Sequence, residues 1–502
     1  MKKIKYLLLV IFSLFIIACG GEKKKESQNG NTVVIAQGAK PKSLDPHMYN
    51  EIPGLAVSRQ FYNTLFNREK DGTITPELAE SYEYKSDTEL DVVLKKGVKF
   101  HDGTELTADD VVYSFERMQE KPGASIMIAE IDRVEKIDDY SVKIFLKSSS
   151  APLLFNLAHP ITSIVSKKYS DTKTNDMSIA PMGTGAYKLV SYGDGEKIEM
   201  ESFKDYFAGK PKIDKIIFRS IPEDTSRLAA LETGEIDIAY GMPAITAQTI
   251  EANADLELIS EPTTATEYIT LNTEKAPFNN KDFRRALNYA IDKQSIVDSI
   301  YLGKARVAKS IVNPNVFGYY ADIEGFELNL EKAKELIEKS GVQNTSFSLY
   351  VNDNPVRLQA AQIIQANLRE VGIEMKIETL EWGTYLSKTG EGDFQAYLGG
   401  WISGTSDSDI VLYPLLNSKS IGFAGNRARY SNPDFDREVE AARVELSPEA
   451  RKEHYKNAQI IAQEDSPLVV LFNKNENIGI NKRVKGFNYD STTMHKLGEL
   501  EL

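Results

Sequence analysis

Leu94-Lys95-Lys96-Gly97-Val98-Lys99-Phe100-His101-Asp102-Gly103-Thr104-Glu105-Leu106-Thr107-Ala108-Asp109-Asp110-Val111 is the stretch whose pattern commits the chain to a fold. Lys95-Lys96-Gly97 and His101-Asp102-Gly103 are turn signals between apolar residues, so the start of the run reads as strand, turn, strand. Thr107 then stands where a helix cap belongs, and Asp109 and Asp110 suit the positive end of the helix dipole. Val111, Val112, Phe115 and Met118 share one face, which predicts a helix over 107–118. Apolar and polar residues alternate through 82–150, so this region is expected to form a separate antiparallel-rich domain.

The rest of the chain reads differently. Helices are predicted over 281–301, 330–340, 355–371, 433–446 and from Pro448 to about Gln463. Gly303, Gly341 and Gly372 stop three of them, and Pro433 and Pro448 open the last two. Strands are predicted at Val33–Ala36, Lys215–Arg219, Ile236–Tyr240, Tyr268–Leu271, Phe347–Val351, Ile373–Thr379, Phe394–Gly399 and Leu468–Phe472. Helices and strands alternate from 281 to 400, which favours a sheet covered by helices and an α/β class overall.

Composition narrows the chemistry. The 502 residues carry a net charge of -13 and are 41% hydrophobic and 26% charged, an ordinary globular balance that length divides into about three domains. The acidic balance argues against a nucleic-acid partner. One cysteine excludes an internal disulfide and a cysteine-built metal cluster, and the five histidines are scattered, so no metal site and no cofactor are expected.

The amino terminus reads as an address. Lys2, Lys3 and Lys5 precede an apolar run from Tyr6 to Ile17, too short to span about 30 Å of hydrocarbon. It ends in Ile16-Ile17-Ala18-Cys19-Gly20, which resembles the bacterial lipobox. That resemblance implies removal of residues 1–18 as a signal peptide and acylation of Cys19. The net charge of the remaining chain is then -16. Residues 19–31 are polar and glycine-containing, a flexible tether, and place the working part outside the cytoplasmic membrane.

Catalytic patterns are sparse. HExxH and the phosphate-binding G-x-x-x-x-G-K-[ST] are absent, and Gly400-Trp401-Ile402-Ser403-Gly404 has its serine one place late for a nucleophile elbow. Ser170-Asp171-Thr172-Lys173 and Lys388-Thr389-Gly390 match two short elements of serine acyl-transfer enzymes, with the middle S-D-N element missing. Gly183-Thr184-Gly185 reads as a tight turn, and His101 as a turn histidine.

Four blocks, read in order, carry a family resemblance: Phe61-Tyr62-Asn63-Thr64-Leu65 after Ser43-Leu44-Asp45-Pro46; the run 94–111; Pro181-Met182-Gly183-Thr184-Gly185-Ala186-Tyr187 with Ala229 to Asp237; and Phe283 to Asp292. Together they resemble the family 5 extracytoplasmic solute-binding proteins of ABC importers, the dipeptide, oligopeptide, nickel and glutathione group. The resemblance implies a periplasmic-binding-protein-like type II fold. Two α/β lobes close at a hinge, and an extra domain is inserted into the first. Mapped here, the first lobe is 32–64, 200–272 and 477–502, the insert 65–199 and the second lobe 273–476. It also implies a non-enzymatic, monomeric receptor that works with separate permease and ATPase subunits. Each block has a structural reading too, so the four are expected to define the fold and not to touch ligand.

A small peptide, dipeptide or oligopeptide or glutathione, is the expected cargo; a nickel complex or an oligosaccharide is the alternative, and a secreted serine acyl-transfer enzyme the rival from another class. In dipeptide and oligopeptide binders of this family an Asp three residues after a Gly-Trp pair takes the ligand amine. Here that position, after Gly400-Trp401, is Gly404. The run through Ser403, Thr405, Asp407 and Asp409 is closer to the glutathione-binding branch, which implies a shifted amine site at Asp407. Asp409 reads equally as a helix cap. Arg357, just past a predicted strand end, offers a fork for a carboxylate, with Arg427 and Arg429 as rivals. Tyr268, Trp382, Tyr385 and Trp401 are read as aromatic walls or as core.

Overall fold

The computed structural model of the protein describes residues 31–172, 174–422 and 425–502. Cys19, the signal peptide and most of the tether lie outside the described residues, as does Lys173 of the short Ser-x-x-Lys pattern.

One twelve-stranded sheet runs through both lobes. The strand Leu468–Asn481 joins them. Its first part pairs with Ala265–Leu271, and its second with Leu256–Pro262 and Ile238–Ala239. On the first-lobe side the order continues through Thr32–Gln37, Lys215–Ser220, Lys197–Ser202 and Tyr187–Gly193. On the second-lobe side it continues through Ala396–Ile402, Phe347–Asn352 and Met375–Leu380. Phe347–Asn352 pairs in parallel with both of its neighbours, and helices Pro355–Glu370 and Trp382–Glu391 form the crossovers. The central strand Ala265–Leu271 is buried at all seven positions, as expected where both faces are covered.

Two expected domain boundaries move. The chain already enters the second lobe at Ala265, so the first crossing is the pair Thr263-Thr264 and not the neighbourhood of 272. Tyr187–Gly193 is a strand of the first lobe's sheet, so the insert ends before it and not at 199. The return crossing lies within the single strand Leu468–Asn481, where pairing passes from one lobe's strands to the other's.

The insert holds the antiparallel sheet expected from its alternation: Ala79–Ser86, Glu89–Leu94, Ser141–Leu146 and Ile131–Asp138, in that order. The predicted helix is present as Ala108–Gln119. The Asp110 carboxylate accepts from the Thr107 amide at 3.0 Å and from its hydroxyl at 3.2 Å. The helix predicted over 281–301 is instead two, Lys281–Ala290 and Lys293–Ile300. Ile291 is extended, and Asp292 caps the second helix by accepting from the Ser295 amide at 3.0 Å. A side chain able to cap competes with helix continuation.

Three of the four family blocks meet. The Gly185 amide donates to the Phe61 carbonyl at 2.9 Å, and the His101 amide to the Gly183 carbonyl at 2.9 Å. A Cβ on Gly183 would lie 2.1 Å from the Phe61 oxygen, and one on Gly185 2.4 Å from the Gln60 oxygen. These glycines exist for close backbone approach.

Candidate functional site

The carboxyl ends of the parallel strands Phe347–Asn352, Met375–Leu380 and Ala396–Ile402 lie on one side of the second lobe. That side of an open α/β sheet is where following loops gather and ligands bind. The helix starts at Pro355 and Trp382 and the loop 403–408 follow these ends. The antiparallel strand Ala265–Leu271 brings Glu267 to the same place, opposite Gly400.

Arg357 lies at this edge. Asn354 caps its helix by accepting from the Arg357 amide at 3.0 Å. The guanidinium donates from Nε to Glu267 Oε2 at 3.0 Å and from Nη2 to Oε1 at 3.1 Å. Nη1 donates to Asn352 Oδ1 at 3.1 Å. Burial opposes the charged guanidinium, yet Glu267 beside it keeps the Arg357 pKa above its ordinary value. Lys474 Nζ lies 3.6 Å from Glu267 Oε1, so one buried carboxylate serves two cations. The same carboxylate explains Gly400: a Cβ there would lie 2.6 Å from Glu267 Oε1.

Glu267 escaped the sequence reading. The available signal was an acid inside Ala265-Thr266-Glu267-Tyr268-Ile269-Thr270-Leu271, a strand whose seven residues are all buried. A charge buried in such a strand needs a partner.

The other expected residues divide. Trp382 is 47% exposed and stacks on Tyr385, with ring centroids 5.5 Å apart and an interplanar angle of 17°. Tyr385 is buried and donates its hydroxyl to the Leu398 carbonyl at 2.9 Å. Tyr268 is buried in the cluster that holds Val312, Leu412, Tyr430 and Phe435, and Trp401 packs against the same cluster. Trp382 and Arg357 therefore present surface at the edge, while Tyr385 and Tyr268 support it.

Ser403, Thr405 and Asp407 fold inward as one turn. The Ser403 hydroxyl donates to the Asp407 carbonyl at 3.2 Å, and the Asp407 amide to Thr405 Oγ1 at 3.4 Å. Asp407 is fully buried. Its Oδ2 accepts from Arg451 Nη1 at 3.0 Å, and its Oδ1 from Arg451 Nη2 and the Tyr455 hydroxyl, each at 3.0 Å. Oδ1 also accepts from the Asp409 amide at 2.8 Å. Asp407, expected from the sequence as a shifted amine site, is thus paired with Arg451 and Tyr455 of its own chain. Asp409 opens the helix Asp409–Leu416 and faces Arg443 at 3.0 Å; burial pushes its carboxyl up to about 6. Arg427 donates to Thr389 Oγ1 at 2.7 Å and Arg429 to the Glu391 carbonyl at 2.9 Å, so both pack on the helix Trp382–Glu391. Ser170, from the acyl-transfer pattern, donates to the Ser166 carbonyl at 2.8 Å.

A cleft of about 980 Å³ opens among the three parts of the molecule. Arg68 and Asp71 of the insert, Glu261 and Tyr489 of the first lobe, and Tyr319 and Ser406 of the second line it. None of the eight expected ligand residues does. The insert also touches the second lobe directly. The Ala151 amide donates to the Arg443 carbonyl at 2.8 Å, and the Ser149 hydroxyl to the Val444 carbonyl at 2.8 Å. A Cβ on Gly404 would lie 2.8 Å from His159 Nε2, so the glycine allows this approach. Among the described residues no group of three or more His, Cys, Asp or Glu could hold a metal, and no helix is long and apolar enough to cross a membrane.

Two α/β lobes that share one sheet through paired strand crossings, with a third domain touching the second lobe and a cleft opening among the three, have the architecture of a two-lobed binding protein. The pattern described as bacterial extracellular solute-binding proteins, family 5 middle, matches residues 73–423, and the chain belongs to that family of substrate-binding proteins. It is 31% identical to heme-binding protein A of Haemophilus influenzae, over 93% of this chain and 91% of that one. It is 31% identical to the glutathione-binding protein GsiB of Pectobacterium atrosepticum, over 93% and 94%. The structure of the ABC transporter-associated periplasmic binding protein DppA from Helicobacter pylori, in complex with peptide STSA, superposes with a TM-score of 0.82. It is 30% identical, with 94% of this chain and 98% of that chain covered.

Proposed function

We propose that this chain is the lipid-anchored, monomeric receptor of an ABC importer, held to the membrane through Cys19. We further propose that its cargo is a small peptide recognised by an end that carries an ammonium and a carboxylate on one carbon. Glutathione, whose γ-glutamyl residue has such an end, is the lead ligand. The Glu267–Arg357 pair carries this reading. Its two charges sit about 3 Å apart at the crevice edge. An amino-acid head is complementary to such a pair: its ammonium faces Glu267 and its carboxylate faces Arg357, with Lys474 offsetting the surplus negative charge. Trp382, stacked on Tyr385, offers a flat apolar wall beside it. The likeness to a glutathione-binding protein supports the same class.

Titration calorimetry with glutathione, its desamino analogue, a dipeptide, a linear tetrapeptide, an oligosaccharide, hemin and nickel–histidine tests the proposal. Glutathione is expected to bind most tightly and the desamino analogue at least tenfold more weakly. Arg357→Met is expected to weaken glutathione by about 2–4 kcal/mol, the scale of truncating one partner of a buried charged contact. Equal affinity for glutathione and the desamino analogue, or clear preference for hemin, sugar or nickel, would remove the reading. For the anchor, Cys19→Ser is expected to move the protein from the membrane fraction to the soluble one. Retention in the membrane fraction would contradict acylation at Cys19.

A further inference from the structure

Lys293 is the first residue of the helix Lys293–Ile300 and is 4% exposed. It has no ion pair among the described residues. Its Nζ donates weakly to Asn288 Oδ1 at 3.4 Å and lies 5.7 Å from the Phe326 ring centre. Asn288 and Phe326 both line a cavity of about 30 Å³ in the second lobe. The lining includes two lysines, 293 and 309, and no acid. None of the expected ligand residues, nor Glu267, belongs to it.

A buried ammonium normally has a counter-charge, or gives up its proton. Burial alone moves the Lys293 amine down to about 7, so near neutrality it is poised between the two forms. A water needs about 10–15 Å³ of such volume, which gives this cavity room for a halide-sized anion and one water. Ser310 and Gln459, bonded to each other at 2.9 Å, supply polar lining.

We propose that this cavity is a binding site for a small monovalent anion, of chloride size, held by Lys293 with Lys309 at its rim. The ion supplies the counter-charge the fold lacks there and stiffens the second lobe away from the cargo crevice.

Crystals of the unmodified protein soaked in sodium bromide are expected to show an anomalous peak about 3–3.5 Å from Lys293 Nζ. The thermal midpoint is expected to be about 1–3 °C higher in 100 mM chloride than in gluconate of equal ionic strength, at pH 6.5. That difference is expected to disappear in Lys293→Met, which also removes a buried amine and so should fold. An empty cavity in the bromide map overturns the proposal. So does an equal midpoint in both salts, or a chloride effect that survives Lys293→Met.

Discussion

Asp407→Ala is expected to cost about 3–5 kcal/mol of folding stability, because it strands the buried Arg451 guanidinium without its carboxylate. Four donors converge on Asp407: two from Arg451, one from Tyr455 and the Asp409 amide. Arg451 is itself only 3% exposed, and its Nε donates to the Ala442 carbonyl at 3.0 Å. Burial opposes the Arg451 charge, but Asp407 overrides it and holds the guanidinium pKa well above its usual range. Asp407→Asn keeps the shape and loses the charge, so it is expected to fall between the parent and the alanine variant. Asp407→Leu combined with Arg451→Met removes both charges and is expected to recover much of the loss. Urea unfolding checks all three. A loss under 1 kcal/mol for Asp407→Ala would mean that the pair does not hold the loop 403–408. If instead stability held and glutathione affinity fell, the loop would be a binding element after all.

Acidification is expected to unfold the protein steeply between pH 6.5 and 4.5, through the buried His47 and His159 and the half-buried His101. Burial holds His47 and His101 down at about 4 and His159 at about 3. An accepting ring nitrogen fixes His47 and His159 in the neutral form, while His101 is held neutral by desolvation alone. His47 accepts from Arg117 Nη1 at 2.7 Å and donates to the Ser163 carbonyl at 2.8 Å. His159 Nδ1 accepts from the Ile161 amide at 3.2 Å, and His101 Nε2 donates to the Gly185 carbonyl at 3.0 Å. In the unfolded chain each protonates near pH 6.5. The unfolded state therefore binds more protons in this window, and stability falls as pH falls. Asp409, raised to about 6, works in the opposite direction and offsets one of the three. The net slope is then about 2.7 kcal/mol per pH unit near pH 5. Denaturant midpoints measured across this range test it. A flat profile would show that the histidines are not held neutral. His159→Asn is expected to make the profile shallower, and because His159 lies against Gly404 it also probes the contact between insert and second lobe.

Much of the fold was legible because local rules dominate it. Thr107 to Met118, Pro355 to Glu370 and Pro448 to Asp465 each combine a cap or proline start with an apolar stripe, and each is a helix. The split at Ile291 and Asp292 was less visible, since the apolar spacing runs on through it and only the capping bond reveals the break. The crossing expected near 272 lies at Thr263-Thr264, between two strands with no turn-rich break to mark it, while the one expected near 477 falls inside a strand that serves both lobes. Leu468–Asn481 is continuous in pattern and pairs with two different sets of neighbours.

At the site, Arg357 was recognisable from its place after a strand end, but its partner Glu267 is 90 residues earlier in the chain. Asp407 looked open to a ligand because the arginine that claims it comes 44 residues later. By itself the sequence settled periodicity, caps, turns and the order of the family blocks, all of which depend on neighbours a few residues apart. Only the tertiary structure decided which charges face each other. Coulomb energy and desolvation follow distance and burial in space, and those are set when elements far apart in sequence pack together within the second lobe.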